Sequence, residues 1–256
     1  MKTPEQAVRE IFGERAAFYT TSASHTDPQV LARVVELAAP QADWSALDVA
    51  TGTGHTAFAL ASHVARVVGT DLTPEMLAEG EKLAHERGIP NVRFCLADVH
   101  ALPFDDATFD LVTCRRAAHH FSDIGRALRE MRRVLRPFGS GRLVIDDRGV
   151  PEDDFVDACM NELDRLHDES HVRQYRPSQW ERTLAQIGFV VESIEPYTRH
   201  RPLTSLTDDV SPENVRRIHA ILGNLDPEQR EKLNLVNVNG QLYLNHWYLT
   251  LSAHVG

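Results

Sequence analysis

The feature that most restricts the fold is a regular alternation of apolar and amphipathic segments between residues 46 and 148. The amphipathic segments have helical periodicity. Successive strands joined by helices pair in parallel, so the sequence predicts an α/β fold with helices on both faces of a mostly parallel sheet. The apolar segments predict strands over residues 46–50, 66–71, 92–98, 109–115 and 142–147.

Capping residues mark the ends of the predicted helices. Thr73 is followed by Pro74, a pair typical of the N-cap and the first position of a helix. Asp123 is the predicted N-cap of a helix over residues 124–135, and Gly139 helps to end that helix.

The chain after residue 148 alternates less regularly. Ser178 and Glu181 predict a capping box for a helix that ends at Gly188. Asn239-Gly240 predicts a hairpin turn before a long final strand, which is expected to be antiparallel. The other predicted elements are helices over residues 152–167, 212–222 and 227–233, and strands over residues 189–195, 233–238 and 242–255.

Composition argues against several kinds of partner. The net charge is −10 over 256 residues, and an acidic surface repels phosphate backbones, so no nucleic-acid partner is expected. Cys95, Cys114 and Cys159 are widely spaced and contain no C-x-x-C pair, which favours reduced thiols in a cytoplasmic protein. Neither a signal peptide nor a membrane span is expected, because no apolar run has the required length.

A glycine-containing turn follows the first predicted strand and precedes a helix. Its glycines, Gly52 and Gly54, let the backbone pass close to a ligand and present helix N–H groups to it. Asp71 ends the second strand, where an acid accepts both hydroxyls of an adenosine ribose. The turn also fits the G-x-G-x-x-G/A fingerprint, so the candidates are S-adenosylmethionine (SAM) and a nicotinamide dinucleotide.

Two further carboxylates favour SAM. Asp48, four residues before Gly52, suits the ammonium group of a methionine moiety and would repel a pyrophosphate. Asp98 ends the third strand and can accept from an adenine amino group, with Ala97 and Val99 beside it. Each acid alone could instead be a helix cap or a solvated loop residue. Three acids at successive strand ends favour one adenosyl-amino-acid ligand.

The core of the chain resembles class I SAM-dependent methyltransferases, above all the ubiquinone/menaquinone-biosynthesis C-methyltransferases. The resemblance rests on LDVATGTGHTAFALA, VVGTDLTPEML, FCLADVHALPFDDATFDLVTCRRAAHHFSD and LREMRRVLRPFGSGRLVIDD. It implies a Rossmann-like three-layer sandwich whose seven-stranded, mostly parallel sheet has an antiparallel last strand. Ala50 departs from the family pattern, because many members have a glycine there and alanine allows fewer backbone conformations.

The resemblance also implies a set of cofactor-binding residues. The turn residues would line the methionine part, and Asp71 would hold the ribose. Leu72 and Met76 would flank the adenine, while Arg115 and Ala117 would face the sulfonium end. The full set is Tyr19, Ser22, Asp48, Ala50, Thr51, Gly52, Gly54, Asp71, Leu72, Met76, Ala97, Asp98, Val99, Arg115 and Ala117.

The length fits one domain over residues 1–256 with inserted segments. Because related enzymes close an N-terminal helix over the cofactor, residues 1–40 are expected to form a helical lid. Residues 41–148 are the expected SAM-binding core. Residues 149–177 and 198–235 are expected to form cap insertions on the substrate side.

His119 and His120 are the candidate catalytic residues. They follow the fourth strand, at the edge where open α/β sheets bind ligands. A neutral imidazole could take a phenol or enol proton, although either histidine could instead only orient the loop. The Asn-Pro-Pro-Tyr motif of many amino-group methyltransferases is absent, which favours a carbon or oxygen of a small-molecule acceptor.

His171, Arg173 and Trp180 are expected on the substrate side, unless residues 164–176 form only a solvated loop. His167 and His171 have helical spacing, but no cysteine or acidic ligand motif accompanies them, so no metal site is predicted.

Two other functions remain open from the sequence. One is an NAD(P)-dependent oxidoreductase, which the lack of a Tyr-x-x-x-Lys pair weakens. The other is a SAM-binding protein that transfers no methyl group, because its cofactor residues would look the same. The acceptor, the attacking atom and the oligomeric state, with a homodimer among the options, are not determined by the sequence.

Overall fold

The computed structural model describes residues 3–137 and 140–256. Within them, eight strands form one sheet in the order β3-β2-β1-β4-β5-β8-β6, and β7 pairs with β8. β1 to β5 are parallel, and β8 is antiparallel to both β5 and β6. The strands are β1 (Ser45–Val49), β2 (Arg66–Asp71), β3 (Val92–Leu96), β4 (Leu111–Arg115), β5 (Arg142–Gly149), β6 (Phe189–Pro202), β7 (Val236–Val238) and β8 (Gln241–Val255).

The predicted α/β fold with an antiparallel last strand is confirmed, and the strand beyond the expected seven is the three-residue β7. Short 3₁₀ turns lie at Val99–Ala101 and Ala118–His120. The α-helices of the described residues are α1 (Pro4–Glu14), α2 (Ala16–Tyr19), α3 (Pro28–Ala38), α4 (His55–Ala61), α5 (Pro74–Glu86), α6 (Ile124–Val134), α7 (Asp154–His167), α8 (Pro177–Ile187), α9 (Thr204–Thr207), α10 (Pro212–Gly223) and α11 (Pro227–Lys232).

The predicted caps of α5 and α6 are correct in position. Thr73 is the N-cap of α5 and Pro74 is its first residue, although the Thr73 side chain makes no capping hydrogen bond. Asp123 caps α6, where its carboxylate accepts the Arg126 N–H at 2.8 Å. Gly139, expected to help end α6, lies outside the described residues.

The predicted cap of α8 is wrong. Pro177 is the first residue of the helix, because its fixed φ and missing N–H suit that position. The side chain of Gln179 therefore accepts the Arg176 N–H, at 3.0 Å. Ser178 lies inside the first turn, and its hydroxyl donates to Glu152 at 2.8 Å.

β6 is longer than predicted because β8 continues beyond the end of β5. The two strands pair from Phe189 opposite Val255 to Pro202 opposite Tyr243, which carries their far ends out of the parallel sheet. A hydrophobic cluster forms on this extension together with α7, α9 and α10. It contains Val156, Leu163, Leu206, Ile218, Leu222, Leu233 and Leu244, so residues 149–177 and 198–235 share one packed core.

The central core lies between the sheet and the helices α6 and α8. Leu128, Met131 and Val134 of α6 are fully buried against the sheet. The same cluster contains Trp180 and Leu184 of α8. Throughout the described ranges, every helix is too short or too polar to cross a bilayer.

Replacement of Leu128 by alanine tests this core. Leu128 is 0% exposed, so Leu128→Ala is expected to lower the free energy of unfolding by about 2–5 kcal/mol in urea titrations. Leu96→Ala is the matched control, because Leu96 is 53% exposed, and it should change stability by less than about 0.5 kcal/mol. Equal losses in the two variants would contradict the assigned packing.

Candidate active site

A cavity of about 980 Å³, counting the space at its mouth, lies where the carboxyl ends of β1 to β4 meet. Loops after these four strands form one wall of the cavity. The opposite wall comes from the N-terminal segment, through Glu5, Val8, Phe12, Tyr19 and His25.

The glycine turn after β1 has an unusual backbone. Ala50, Gly52 and Gly54 have φ values of 51°, 55° and 90°, all in the left-handed region. This conformation suits glycine, and at Ala50 it costs about 1–2 kcal/mol. A carboxylate oxygen of Asp71 accepts the Gly52 N–H at 2.8 Å and so ties the turn to the end of β2.

Asp48 lies beneath this turn, 1% exposed, and outside the cavity wall. Its two oxygens accept the hydroxyls of Thr51 at 2.5 Å and Thr113 at 2.7 Å. Burial raises the pKa of Asp48 to about 6, although both hydrogen bonds act in the opposite direction. Asp48 therefore reaches the cavity through Thr51, which lies on the wall.

The other two predicted carboxylates lie on the wall itself. Asp71 has its second oxygen bound to the Thr73 N–H at 2.9 Å, and burial raises its pKa. Asp98 accepts the backbone N–H of His100 at 2.9 Å and lies 2.7 Å from its Nδ1. Leu72, Met76, Ala97 and Val99 surround these acids with apolar surface.

Arg115 presents a nitrogen that is not hydrogen-bonded. Its Nε donates to Thr56 Oγ1 at 2.9 Å and its Nη2 donates to the His25 carbonyl at 2.6 Å. Its Nη1 is buried and has no hydrogen-bond partner among residues 3–137 and 140–256. Arg115 itself lies on the cavity wall, and its buried Nη1 is a hydrogen-bond donor left unsatisfied by these residues.

Most of the predicted cofactor residues thus come together around one cavity. Ser22, Asp48 and Gly54 do not lie on its wall. Ser22 instead lies 3.0 Å from His25 Nδ1, and Gly54 packs against Phe58 and Phe94. The predicted residues on the wall are Tyr19, Ala50, Thr51, Gly52, Asp71, Leu72, Met76, Ala97, Asp98, Val99, Arg115 and Ala117.

The two candidate catalytic histidines have different surroundings. His120 lies on the wall, and its ring packs against the Phe12 ring in a T-shaped arrangement at a centroid distance of 5.2 Å. His119 lies behind it, with its Nδ1 2.6 Å from Asp147, which also accepts the His119 N–H at 2.8 Å. Burial holds the pKa of His119 well below its usual range and raises that of Asp147 to about 6.

None of the three residues expected on the substrate side lies on the wall of this cavity. Trp180 is 2% exposed and packs in the central core, since it faces the sheet side of α8. Arg173 is paired with Asp157 at 2.9 Å. His171 is buried, with its Nε2 3.2 Å from Asn161 Oδ1.

Sequence reasoning missed several wall residues. Arg116 follows β4 with φ 56°, and its guanidinium lies 3.1 Å from Asp146 and 3.9 Å above the Tyr248 ring. Nothing in the local sequence distinguishes it from Arg115. Phe12 and His25 were also missed, although aromatic residues in the predicted lid were a usable signal.

Comparison with known proteins agrees with this geometry. Residues 47–144 match a family model described as a methyltransferase domain. The uncharacterized methyltransferase YcgJ of Bacillus subtilis is 37% identical over 186 residues, which cover 73% of each chain. Its crystal structure has a TM-score of 0.82 at 32% identity, covering 88% of this chain and 97% of YcgJ.

The chain belongs to the SAM-dependent methyltransferases. The methyltransferase domain indicates SAM as the cofactor, and the alternative of a nicotinamide-dependent oxidoreductase is not favoured. The demethylmenaquinone methyltransferase of Thermus thermophilus is 46% identical to this methyltransferase over 115 residues, 44% of this chain and 51% of the relative.

Alanine substitutions of the two turn glycines should have unequal effects in this methyltransferase. A Cβ at Gly54 would lie 2.8 Å from Phe58 and 2.9 Å from Phe94, whereas one at Gly52 would meet nothing within 4 Å. Gly54→Ala should therefore lower the free energy of unfolding by more than about 2 kcal/mol, and Gly52→Ala by only about 1 kcal/mol of backbone strain. Urea titrations measure both, and an equal or larger loss in Gly52→Ala would contradict this geometry.

Proposed function

We propose that this methyltransferase transfers the methyl group of SAM to an oxygen or carbon of a small, largely apolar acceptor. The observation that supports this most is one cavity in which a wall of cofactor-type polar groups faces an N-terminal segment that carries apolar residues beside polar ones. Thr51, Asp71 and Asp98 contribute polar groups to the first, while Val8 and Phe12 contribute apolar surface to the second. Such a cavity excludes water from an acceptor held beside the cofactor.

The residues on the wall fit each part of SAM. Asp71 would accept from the ribose hydroxyls, and Asp98 from the adenine amino group, with Met76 against the adenine face. Arg115 would donate its unpaired Nη1 to the methionine carboxylate, which explains an otherwise unsatisfied buried atom. When bound, SAM supplies a methyl group on a positively charged sulfur.

The N-terminal segment is proposed to act as a lid over both ligands. Tyr19 and His25 meet edge to face at 4.8 Å, and the His25 carbonyl accepts from Arg115. The Tyr19 carbonyl also lies 3.1 Å from His55 Nε2. These contacts tie residues 15–26 to the loops after β1 and β4, so the bound cofactor would be enclosed. Residues 149–177 and 198–235 are proposed to form a cap beside the cavity.

An aromatic hydroxyl compound is the preferred acceptor class. Val8, Phe12 and Phe121 supply flat and apolar surface on the acceptor side, and no basic stretch offers a path for a nucleic acid. The similarity to demethylmenaquinone methyltransferases is consistent with a bicyclic phenol or hydroquinone acceptor.

Substitution of Asp71 tests the proposed ribose contact. Asp71→Asn should raise the dissociation constant of S-adenosylhomocysteine by roughly tenfold or more in calorimetry, because a charge-assisted hydrogen bond is lost. Asp105→Asn, at an exposed position outside the cavity, is the matched control and should bind like the original protein. Unchanged affinity in Asp71→Asn would remove this residue from the cofactor site.

A transfer assay tests the proposed reaction. The protein is incubated anaerobically with methyl-labelled SAM and 1,4-dihydroxynaphthalene, with 1,4-dimethoxynaphthalene as the matched compound that has no acidic proton. Label should enter the dihydroxy compound alone. Tight SAM binding without label in any small hydroxyl compound would contradict the proposed acceptor class.

A further inference from the structure

A short chain of hydrogen bonds leads away from the cavity behind His120. Its Nδ1 lies 3.0 Å from Ser170 Oγ and 3.2 Å from the Ser170 carbonyl. Ser170 is fully buried, and its hydroxyl lies 2.6 Å from Asp168 Oδ1. Asp168 also accepts the Ser170 N–H at 2.9 Å, which holds the serine from two sides.

The hydrogen-bond acceptor atoms around His120 and Ser170 determine which atoms carry the hydrogens. A carboxylate only accepts, so the Ser170 hydroxyl donates to Asp168. A carbonyl also only accepts, so Nδ1 of His120 carries the hydrogen of the neutral ring. Because the Ser170 hydroxyl hydrogen is donated to Asp168, Ser170 Oγ can only accept from the Nδ1–H of His120. The neutral ring is therefore the Nδ1–H tautomer, in which Nε2 is unprotonated.

The Nε2 atom of His120 is available to a ligand. It has no hydrogen-bond partner in the described part of the chain. It is also not one of the buried side-chain atoms there that lack a partner, so it is accessible. The ring itself lies on the cavity wall, beside Ala117 and Phe121. An unprotonated nitrogen on this wall can accept a proton from a bound molecule.

The loop that carries Asp168 and Ser170 is fastened to the histidine turn by its backbone. The His119 carbonyl accepts the N–H groups of Val172 at 2.9 Å and Arg173 at 3.0 Å. On the other side, Asp147 of β5 holds His119 through the two contacts described above. The position of the His120 ring is thus set by β5 and by the loop after α7 together.

We propose that His120 is the general base for an acceptor hydroxyl and that Ser170 and Asp168 are positioning residues that hold its ring in the Nδ1–H form. This inference rests on the proposed function. The acceptor gives its hydroxyl proton to Nε2 and its electron pair to a new bond with the methyl carbon. The carbon–sulfur bond breaks and its electrons stay on sulfur, so an imidazolium cation replaces the sulfonium cation.

Charge supports the same assignment. Burial acts to raise the pKa of Asp168, but the charge of protonated His120 and the hydrogen bonds from Ser170 bring it down to about 2. Asp168 is therefore ionised at neutral pH and stabilises the imidazolium formed by proton transfer. Burial lowers the pKa of the neighbouring His119 and His171, so neither competes for the proton.

The groups around His120 come from several elements. α1 contributes the apolar ring of Phe12, and the Glu5 carboxylate of the same helix lies on the cavity wall and accepts the Ser122 hydroxyl. Titratable groups on this wall also include Tyr19, His25, His100 and Arg116. The titratable groups that act on His120 are His119 of its own turn, Asp147 of β5, and Asp168 and His171 of the loop, while Arg116 and Arg148 act on His119.

The tautomer of His120 can be measured without any methyl transfer. Nitrogen-15 NMR of the imidazoles is recorded on the full chain with S-adenosylhomocysteine, and the His120 signals are assigned by their loss in His120→Asn. The expected result is protonated Nδ1 and unprotonated Nε2. Ser170→Ala should only weaken this preference, because the Ser170 carbonyl still accepts from Nδ1 while the hydroxyl is lost. An Nε2–H ring in the original protein would overturn the proposal, whatever the activity.

Kinetics with labelled SAM and 1,4-dihydroxynaphthalene test the chemical role. His120→Asn keeps an amide nitrogen near the Nδ1 position, so it should bind S-adenosylhomocysteine normally but lose about 100-fold or more in kcat. Ser170→Ala should lose about tenfold in kcat with little change in the cofactor KM, and Ser170→Thr should restore most of it. Ser178→Ala, outside the cavity, is the serine control.

The pH profile separates positioning from a general structural role. Asp168→Asn removes the negative charge that faces the imidazolium and should change the pH dependence of kcat. Ser170→Ala keeps that charge and should leave the pH dependence of kcat unchanged. If both variants keep the rates and pH profiles of the original protein, Ser170 and Asp168 do not position the base. SAM binding without transfer to any hydroxyl compound would instead contradict the proposed function itself.

Discussion

The hydrogen bond from the Gly52 N–H to Asp71 is the contact on which the site depends. It joins the loop after β1 to the end of β2 and holds a left-handed backbone open toward the cavity. Asp48 supports the same turn from below through Thr51, and Thr113 anchors Asp48 to β4. The first, second and fourth strands are therefore linked at one edge by side chains as well as by the sheet. The cavity forms at this edge because parallel strands bring their carboxyl ends together there.

The buried charged side chains at this edge of the sheet form separate pairs, each with a partner of opposite charge. Arg116 faces Asp146 and the ring of Tyr248, and His119 faces Asp147. Burying these groups costs free energy, which their partners offset only while the geometry is kept. Arg115 differs from them in having no carboxylate partner among the described residues, and its Nη1 is one of several buried atoms there without a hydrogen bond. In the proposed function, the carboxylate of the bound cofactor is the partner of this guanidinium.

Much of the fold was predictable because its signals are local. The strand–turn–helix order, the Asp123 cap and the 239–240 hairpin each depend on a few adjacent residues. The extension of β6 was not predictable, since it depends on pairing with β8, which lies far along the chain. In the site, most of the cofactor residues that the family resemblance implied lie on the cavity wall. The different surroundings of His119 and His120 were not predictable. Adjacent residues in a 3₁₀ turn point in different directions, and the contacts of His120 to Ser170 span fifty residues. Trp180 was misplaced because the periodicity of a helix does not say which neighbour its apolar face will meet.

The most direct test of the account is a crystal structure of the chain with S-adenosylhomocysteine bound. In that structure the ribose should lie on Asp71, the amino-acid carboxylate should meet Arg115, and the sulfur should face the space in front of His120 Nε2. A ligand bound in the reverse orientation, or a His120 ring turned away from that space, would contradict it.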